Sequence, residues 1–329
     1  MQSFPATDLR PVRDHGGNLS AAIAQYGGTM ANWLDLSTGI NPHAYPLGTL
    51  PERAFTALPD AGRLSVLCDV ARKAYGLPDG AGILPAPGAQ ALIEALPKVL
   101  PDLPVSIASP TYNEHAATFR AHGFAVSETG TPTGPIRLVV NPNNPDGRCW
   151  SRATLLGWLG EGAIVIVDES FVDAVPALSL ADLAGHDRLI ILRSFGKFFG
   201  LAGLRLGFAL GEAGLIERLS RAFGLWAVSG PAIEAGITAL ADTQWKADMQ
   251  AKLADDAREL RDMLATTGAK SIGQTPLFVT VAHERAAKLH EHLARQHIWT
   301  RTFPYAPDWL RLGLPGNAQG RLAAALATF

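Results

Sequence analysis

The chain has 329 residues, with 28 Lys plus Arg against 30 Asp plus Glu, 9 His and 2 Cys. Only 18% of it is charged and 47% is hydrophobic, against roughly 25% charged in an ordinary soluble domain, so a large interior and two lobes are expected. A net charge of −2 excludes the basic footprint of a nucleic-acid binder. Cys68 and Cys149 are too distant in sequence for a disulfide framework or a metal spacing, so no metal is expected and the cytoplasm is the expected compartment.

The opening MQSFPATDLRPVRDHGGN carries no apolar signal region. Its continuation to residue 45 is rich in Gly, Pro and Asn, with Trp33, Leu34, Leu36 and Ile40 as apolar anchors. Residues 1–45 are therefore read as a segment lining the active site. Strands are expected at 82–85, 105–109, 124–127, 136–140, 163–167, 189–192 and 206–210, with helical patterns over 64–75, 89–96, 112–122, 152–159 and 214–225 between them. Apolar strands alternating with helices specify an α/β fold: a mostly parallel seven-stranded sheet with helices on both faces, spanning a large domain of 46–230. The stretch 189–210 is interrupted by Arg193, Lys197, Arg205 and four glycines, which excludes a membrane helix. A long helical pattern over 234–266, a strand at 277–281, a helix at 284–296 and strands at 298–302 and 309–313 form a smaller α+β C-terminal lobe, 231–329.

Ligands of such sheets sit outside the carboxyl ends of the strands. There the sequence places Asn141-Pro142-Asn143-Asn144-Pro145-Asp146-Gly147, then Asp168, then Arg193, Ser194 and Lys197. Of seven lysines, only Lys197 lies in an apolar, glycine-rich context, SFGKFFGLAG. Desolvation lowers a lysine's pKa and makes its amine a usable nucleophile. Pyridoxal 5′-phosphate needs such a lysine, a carboxylate for its ring nitrogen, a phosphate cup and an aromatic lid. Asp168 fits the carboxylate. Gly88-Ala89-Gln90 opens a helix after a strand and fits the cup, with Ser194 and Arg205 completing it. Tyr112 fits the lid.

Three motifs carry a resemblance to a known family. SFGKFFGLAGLRLGF is similar to the lysine motif of the class I/II aminotransferase superfamily, the fold-type I PLP-dependent transferases. NPNNPDG resembles that family's Asn-Pro-x-Asn-Pro-Thr-Gly loop, and VIVDESF its Asp-Glu-Ala-Tyr segment. The resemblance implies that Lys197 bonds the cofactor, Asp168 pairs with its ring nitrogen, Asn144 donates to its phenolic oxygen and Tyr112 stacks on the ring. It further implies Ala89, Gln90, Ser194 and Arg205 at the phosphate, and Arg311 on the substrate carboxylate. Four positions depart from the family pattern: Phe171 replaces a Tyr, Gly196 a Ser, Leu58 a Tyr that reaches the neighbouring subunit, and Asp146 a Thr.

His15-Gly16-Gly17-Asn18 and Leu36-Ser37-Thr38-Gly39-Ile40-Asn41-Pro42 resemble the threonine-phosphate decarboxylase branch of that superfamily, which serves cobalamin biosynthesis. The resemblance implies a phosphorylated amino acid as substrate, with His15, Asn18, Ser37, Thr38, Gly39, Asn41 and Arg311 around it, and a homodimer. Decarboxylation and transamination differ in which Cα bond stands perpendicular to the cofactor ring, and no motif reports that torsion. A histidinol-phosphate-type aminotransferase is the enzymatic alternative, and a non-catalytic PLP-binding regulator the remote one.

Overall fold

Runs of Val, Ile and Leu too apolar to face water on either side build the central sheet. In the computed structural model, which describes residues 15–329, seven strands form it: β1 (Gly82–Ala86), β2 (Val105–Ala108), β3 (Val126–Thr129), β4 (Ile136–Val140), β5 (Ile164–Asp168), β6 (Leu189–Ser194) and β7 (Gly207–Gly211). Their spatial order is β1-β7-β6-β5-β4-β2-β3. Only β7 runs against its neighbours β1 and β6, so the sheet is mostly parallel as expected. Two apolar layers cover its faces. One holds Val165, Val167, Ile191 and Phe208, the other Ile107, Leu138, Ile166 and Ile190. Strand β3 starts two residues later than its pattern indicates, because Phe124 turns into the core against the Phe119 ring, 5.2 Å between centroids.

The helical pattern over 234–266 is two helices, Gly230–Ala241 and Thr243–Ala265. They part at Asp242, whose carboxylate accepts the Trp245 N–H at 3.0 Å and caps the second helix. The first packs on Ala61–Tyr75 of the large lobe. Gly236 permits this, since a Cβ there would stand 2.7 Å from Leu67. Thr243–Ala265 then buries Leu253, Ala257, Leu260 and Leu264 along one face. The small lobe's sheet is Arg301–Phe303, Ala306–Gly313, Phe278–Ala282 and Lys270–Thr275 in that order. Its last strand, and helices at Leu19–Tyr26 and Gln319–Leu326, carried no clear period in the sequence. The strand expected over 298–302 divides at Thr300: Ile298–Trp299 pairs with Leu34–Asp35, and Arg301–Phe303 with Ala306–Gly313.

The segment expected to line the active site does two things, and its residues 1–14 lie outside the described residues. Leu19–Tyr26 packs on Ala286–Arg295, and Trp33 meets Tyr26 and Trp299, tying residues 19–36 to the small lobe. The chain then crosses the cleft from Ser37 and docks on the large lobe, where Asn41 N–H donates to the Lys197 carbonyl at 3.0 Å. Among the described residues no helix is long and apolar enough to cross a membrane.

Candidate active site

Strand β5 delivers Asp168 from the core, 3% exposed. Its Oδ2 lies 2.9 Å from Nε2 of His115, and its Oδ1 accepts from the Ser170 N–H at 2.9 Å and the Ser170 hydroxyl at 2.5 Å. Burial pushes this carboxyl up, but the His115 and Ser170 contacts outweigh it and hold Asp168 below the ordinary carboxylate range. A buried carboxylate kept ionised this way is suited to pairing with a cationic ring nitrogen.

The next strand, β6, ends in the short helix Phe195–Phe198 that carries Lys197. Burial, then the nearby guanidiniums of Arg311 and Arg205, pull the Lys197 ammonium down to about 8, with Asp168 opposing them. Its Nζ stands 5.9 Å from the centre of the Phe171 ring. The neutral amine is thus reached at far lower pH than in an ordinary lysine, as a nucleophilic lysine requires. Arg193, one residue before Ser194, serves a different site. It pairs with the buried Glu169 at 2.8 Å and with Asp173, and lies over the Tyr75 ring.

The expected phosphate cup forms at the start of Ala89–Ala95. Gly88 holds φ +86°, and a Cβ there would meet the Arg205 guanidinium at 2.7 Å. The positive φ favours glycine here, and its lack of a side chain leaves Arg205 room at the helix start. Arg205 itself is left-handed at φ 54°, a conformation costly for a non-glycine residue. No side chain caps this helix start among the described residues, which leaves the first N–H groups for an anion.

Two adjoining cavities join these groups. The inner one, about 150 Å³, is lined by Ala89, Gln90, Tyr112, Asn144, Asp168, Ser194, Lys197 and Arg205. The outer one, about 390 Å³, adds His15, Ser37, Thr38, Gly39, Thr111, Arg301, Tyr305 and Arg311, and shares Tyr112, Asn144, Phe171 and Lys197 with the first. Tyr112 donates its hydroxyl to Gln90 at 3.1 Å. His15 reaches Glu114 at 2.9 Å. The Arg311 guanidinium donates to Oδ1 of Asn144 and, at 2.6 Å, to the Ser37 carbonyl. Asn144's donor end is then the one left for a ligand.

Two residues expected at the substrate stand elsewhere. Asn18 caps the helix Leu19–Tyr26 through the Ala21 N–H at 3.2 Å, an ordinary N-cap duty. Asn41 is 2% exposed and spends its side chain on backbone, donating to the Phe198 carbonyl at 2.8 Å and accepting from the His43 N–H at 2.8 Å.

Three of the four departures find reasons. Phe171 packs edge-on against Phe278 and walls both cavities. Gly196 is required by the fold here, since a Cβ would stand 2.7 Å from the Ala202 backbone. Asp146 holds its own turn through Asn143 and the Arg148 N–H. Leu58 is exposed on a groove away from the site.

The site residues that escaped the sequence include His115, Thr111, Phe303, Tyr305 and above all Arg301. Arg301 stands in register opposite Arg311 on the neighbouring strand. Burial first and the Arg301 charge second lower the Arg311 guanidinium to about 10. Two guanidiniums side by side at a cavity wall are an arrangement for anions.

The description of the family "Aminotransferase class I and II" matches residues 131–329. The chain belongs to that family. A threonine-phosphate decarboxylase of Sinorhizobium sp. is 45% identical to it, over 95% of this chain and 97% of its own. One of Pseudomonas aeruginosa is 42% identical, over 96% and 98%. The solved histidinol-phosphate aminotransferase of Sinorhizobium meliloti, in complex with pyridoxal-5′-phosphate, superposes with a TM-score of 0.78 at 17% identity, covering 99% of each chain.

This aminotransferase-family chain is an enzyme, and pyridoxal 5′-phosphate is its cofactor. The inner cavity fits that group on its own chemistry: an amine at one side, an ionised buried carboxylate, an uncapped helix start beside Arg205, and the Tyr112 ring.

Proposed function

We propose that this enzyme removes CO₂ from L-threonine O-3-phosphate, giving (R)-1-aminopropan-2-yl phosphate for cobalamin biosynthesis. The observation that carries the reading is the pair Arg301 and Arg311, in register on the wall of the outer cavity beside Lys197. A phosphorylated amino acid brings two anionic groups, and this wall offers two cations. The full-length similarity to two threonine-phosphate decarboxylases supports the same substrate.

Pyridoxal phosphate, when bound, accepts the electron pair left on the substrate as the carboxyl group departs. Lys197 would bond it, Asp168 would hold its ring nitrogen, Tyr112 would cover its ring and Asn144 would donate to its phenolic oxygen. Ala89, Gln90, Ser194 and Arg205 would hold its phosphate, with Gly88 opening the helix start. Arg311, fixed by Asn144 and Ser37, orients one substrate anion. Arg301, His15 and Thr38 line the same cavity and bind the other, whereas the Ser37 hydroxyl is spent on the Asp35 carboxylate at 2.6 Å. Lys197 Nζ, with its lowered pKa, then carries a proton to the substrate Cα. The apolar walls of Phe171 and Phe303 exclude water from that transfer.

We further propose a homodimer in the cytoplasm. Phe55, Leu58, Leu225 and Trp226 are more than half exposed, large apolar side chains that a partner subunit would cover. They lie on Arg53–Thr56, on the turn that follows it and on the loop leading into Gly230–Ala241. The two helices pack on each other.

The test compares substrates on the holoenzyme. L-Threonine O-3-phosphate is expected to turn over without a keto-acid acceptor, and L-threonine at least ~10²-fold less efficiently for want of the phosphate. Turnover of histidinol phosphate with 2-oxoglutarate in its place would replace this reading with an aminotransferase. No turnover of either, with the cofactor bound, would leave a binding protein.

A further inference from the structure

The lysine helix Phe195–Phe198 is one turn long and cannot hold its own geometry, because four residues leave nearly all its carbonyls without intrahelical partners. Its outer face meets the chain at residues 41–45. Asn41 N–H donates to the Lys197 carbonyl at 3.0 Å, Asn41 Nδ2 to the Phe198 carbonyl at 2.8 Å, and Tyr45 N–H to the Phe199 carbonyl at 2.8 Å. Three successive carbonyls are thus taken by one short segment. The two backbones touch directly: Gly200 holds φ +67°, and a Cβ there would stand 2.7 Å from the Asn41 carbonyl oxygen and the Ala44 Cα.

The segment is itself held. Asn41 Oδ1 accepts the His43 N–H at 2.8 Å, the His43 ring reaches Asp256 at 2.8 Å, and the Tyr45 hydroxyl donates to Asp242 at 3.1 Å. Asp242 and Asp256 belong to the cap and body of the long helix Thr243–Ala265. Asn41 has no contact with either cavity, yet it is fully enclosed with both ends of its amide used.

We infer that Asn41 is a positioning residue for Lys197: by taking the Lys197 and Phe198 carbonyls it fixes the turn from which the amine reaches the cofactor. The inference rests on Lys197 being the cofactor lysine. A side chain tied to backbone on both sides holds a neighbour more tightly than packing alone, and misplacement of a reacting group by about 1 Å costs on the order of 10²-fold. The side-chain amide is the replaceable part, since the Asn41 N–H bond survives any substitution but proline.

The test uses apoenzyme and free pyridoxal phosphate and reads capture rather than turnover. The Lys197 amine condenses with the cofactor aldehyde, one water leaves, and the visible absorption of the lysine-bound cofactor reports the rate. Asn41→Ala and Asn41→Ser are compared with the parent. Serine can still accept from the His43 N–H but cannot reach the Phe198 carbonyl. Both are expected to slow capture at least ~10-fold, and to move the pH at which the band titrates, while circular dichroism stays native. Each is then combined with Lys197→Ala, where the cofactor binds without the covalent bond. There its affinity is expected to be unchanged by either Asn41 substitution.

An unchanged capture rate in both variants overturns the assignment. So does an equal loss of affinity in the Lys197→Ala background, which would place Asn41 in general support of the cavity. Failure of both variants to fold overturns it too, since the role assigned is local. A visible band that persists in Lys197→Ala alone would instead contradict the lysine's own role and is read separately.

Discussion

Nε2 of His115 lies 2.9 Å from Oδ2 of Asp168, with both side chains closed to solvent. The pair joins the first turn of Asn113–Ala121 to the end of β5. Residue 112, which opens that helix, supplies the aromatic wall of the inner cavity. One helix start thus sets both the ring wall and the charge of the acid beneath it.

His115→Ala removes the stronger of the two contacts that keep Asp168 ionised against burial. Turnover is expected to fall about 10–100-fold, with the acid limb of the pH–rate profile moved to higher pH. Asp168→Asn is expected to cost more, roughly 10²–10³-fold. Steady-state rates from pH 5 to 9 check this. An unmoved acid limb in His115→Ala would show that Asp168 holds its charge without the histidine.

Lys197 carries a stability signature of its own. Its ammonium titrates at about 8 in the folded apoenzyme against an ordinary 10.5. Below pH 8 both folded and unfolded chains carry the proton, and folding bears the full cost of burying the charge, roughly 3 kcal/mol. Between pH 8 and 10.5 the folded chain releases its proton first, so stability rises with pH across that window. Lys197→Met apoenzyme is therefore expected to be the more stable below pH 8, by up to roughly 3 kcal/mol, with the gap narrowing as pH rises toward 10.5. Urea titrations of both proteins at pH 7 and pH 10 measure it. A gap that does not change with pH would contradict a depressed lysine.

Arg301→Gln leaves Arg311 without its neighbouring cation. The KM for a doubly anionic substrate is expected to rise about 10–100-fold, the worth of a charge-assisted contact. The visible cofactor band is expected to stay as it is, since Arg301 lines the outer cavity alone. Arg311→Lys should be damaging despite the conserved charge, because an ammonium cannot hold the Asn144 oxygen and the Ser37 carbonyl as the guanidinium fork does. Equal KM values for Arg301→Gln and the parent would remove Arg301 from the substrate wall.

Arg193 sits between Glu169 and Asp173 under the lysine strand, and burial works against its charge while Asp173 and Glu169 raise its pKa above the ordinary arginine value. Arg193→Met leaves two carboxylates facing each other without a cation. About 3–5 kcal/mol of stability is expected to be lost, as when one partner of a buried pair is removed. Chemical denaturation checks this, and a loss below about 1 kcal/mol would show that the carboxylates simply take up protons.

The chemistry-bearing strand ends were legible because a parallel sheet projects whatever follows its apolar runs into one crevice. Asp168, Ser194 and Lys197 needed only the strand pattern to be placed together. Arg301 was not legible. Extending the Phe303–Ala306 pairing as a plain hairpin would set Arg301 opposite Asp308, and it is the register shift between Thr302 and Phe303 that brings it opposite Arg311. Asn18 and Asn41 show the other limit. An Asn in a Gly- and Pro-rich stretch can serve a ligand, a helix start or a distant carbonyl equally well, and the Phe198 carbonyl that Asn41 meets is 157 residues away. The break at Asp242 was hidden because an aspartate fits a charged helix face as readily as it caps a new helix.

The central claim is that the substrate's carboxyl group, and not its amino group, is what leaves. Holoenzyme with L-threonine O-3-phosphate labelled with ¹³C in the carboxyl group tests it most directly, by counting labelled CO₂ and keto acid against amine formed. One labelled CO₂ for each (R)-1-aminopropan-2-yl phosphate, with no keto acid, is the predicted result. Retention of the label in a keto acid, dependent on added 2-oxoglutarate, would contradict it.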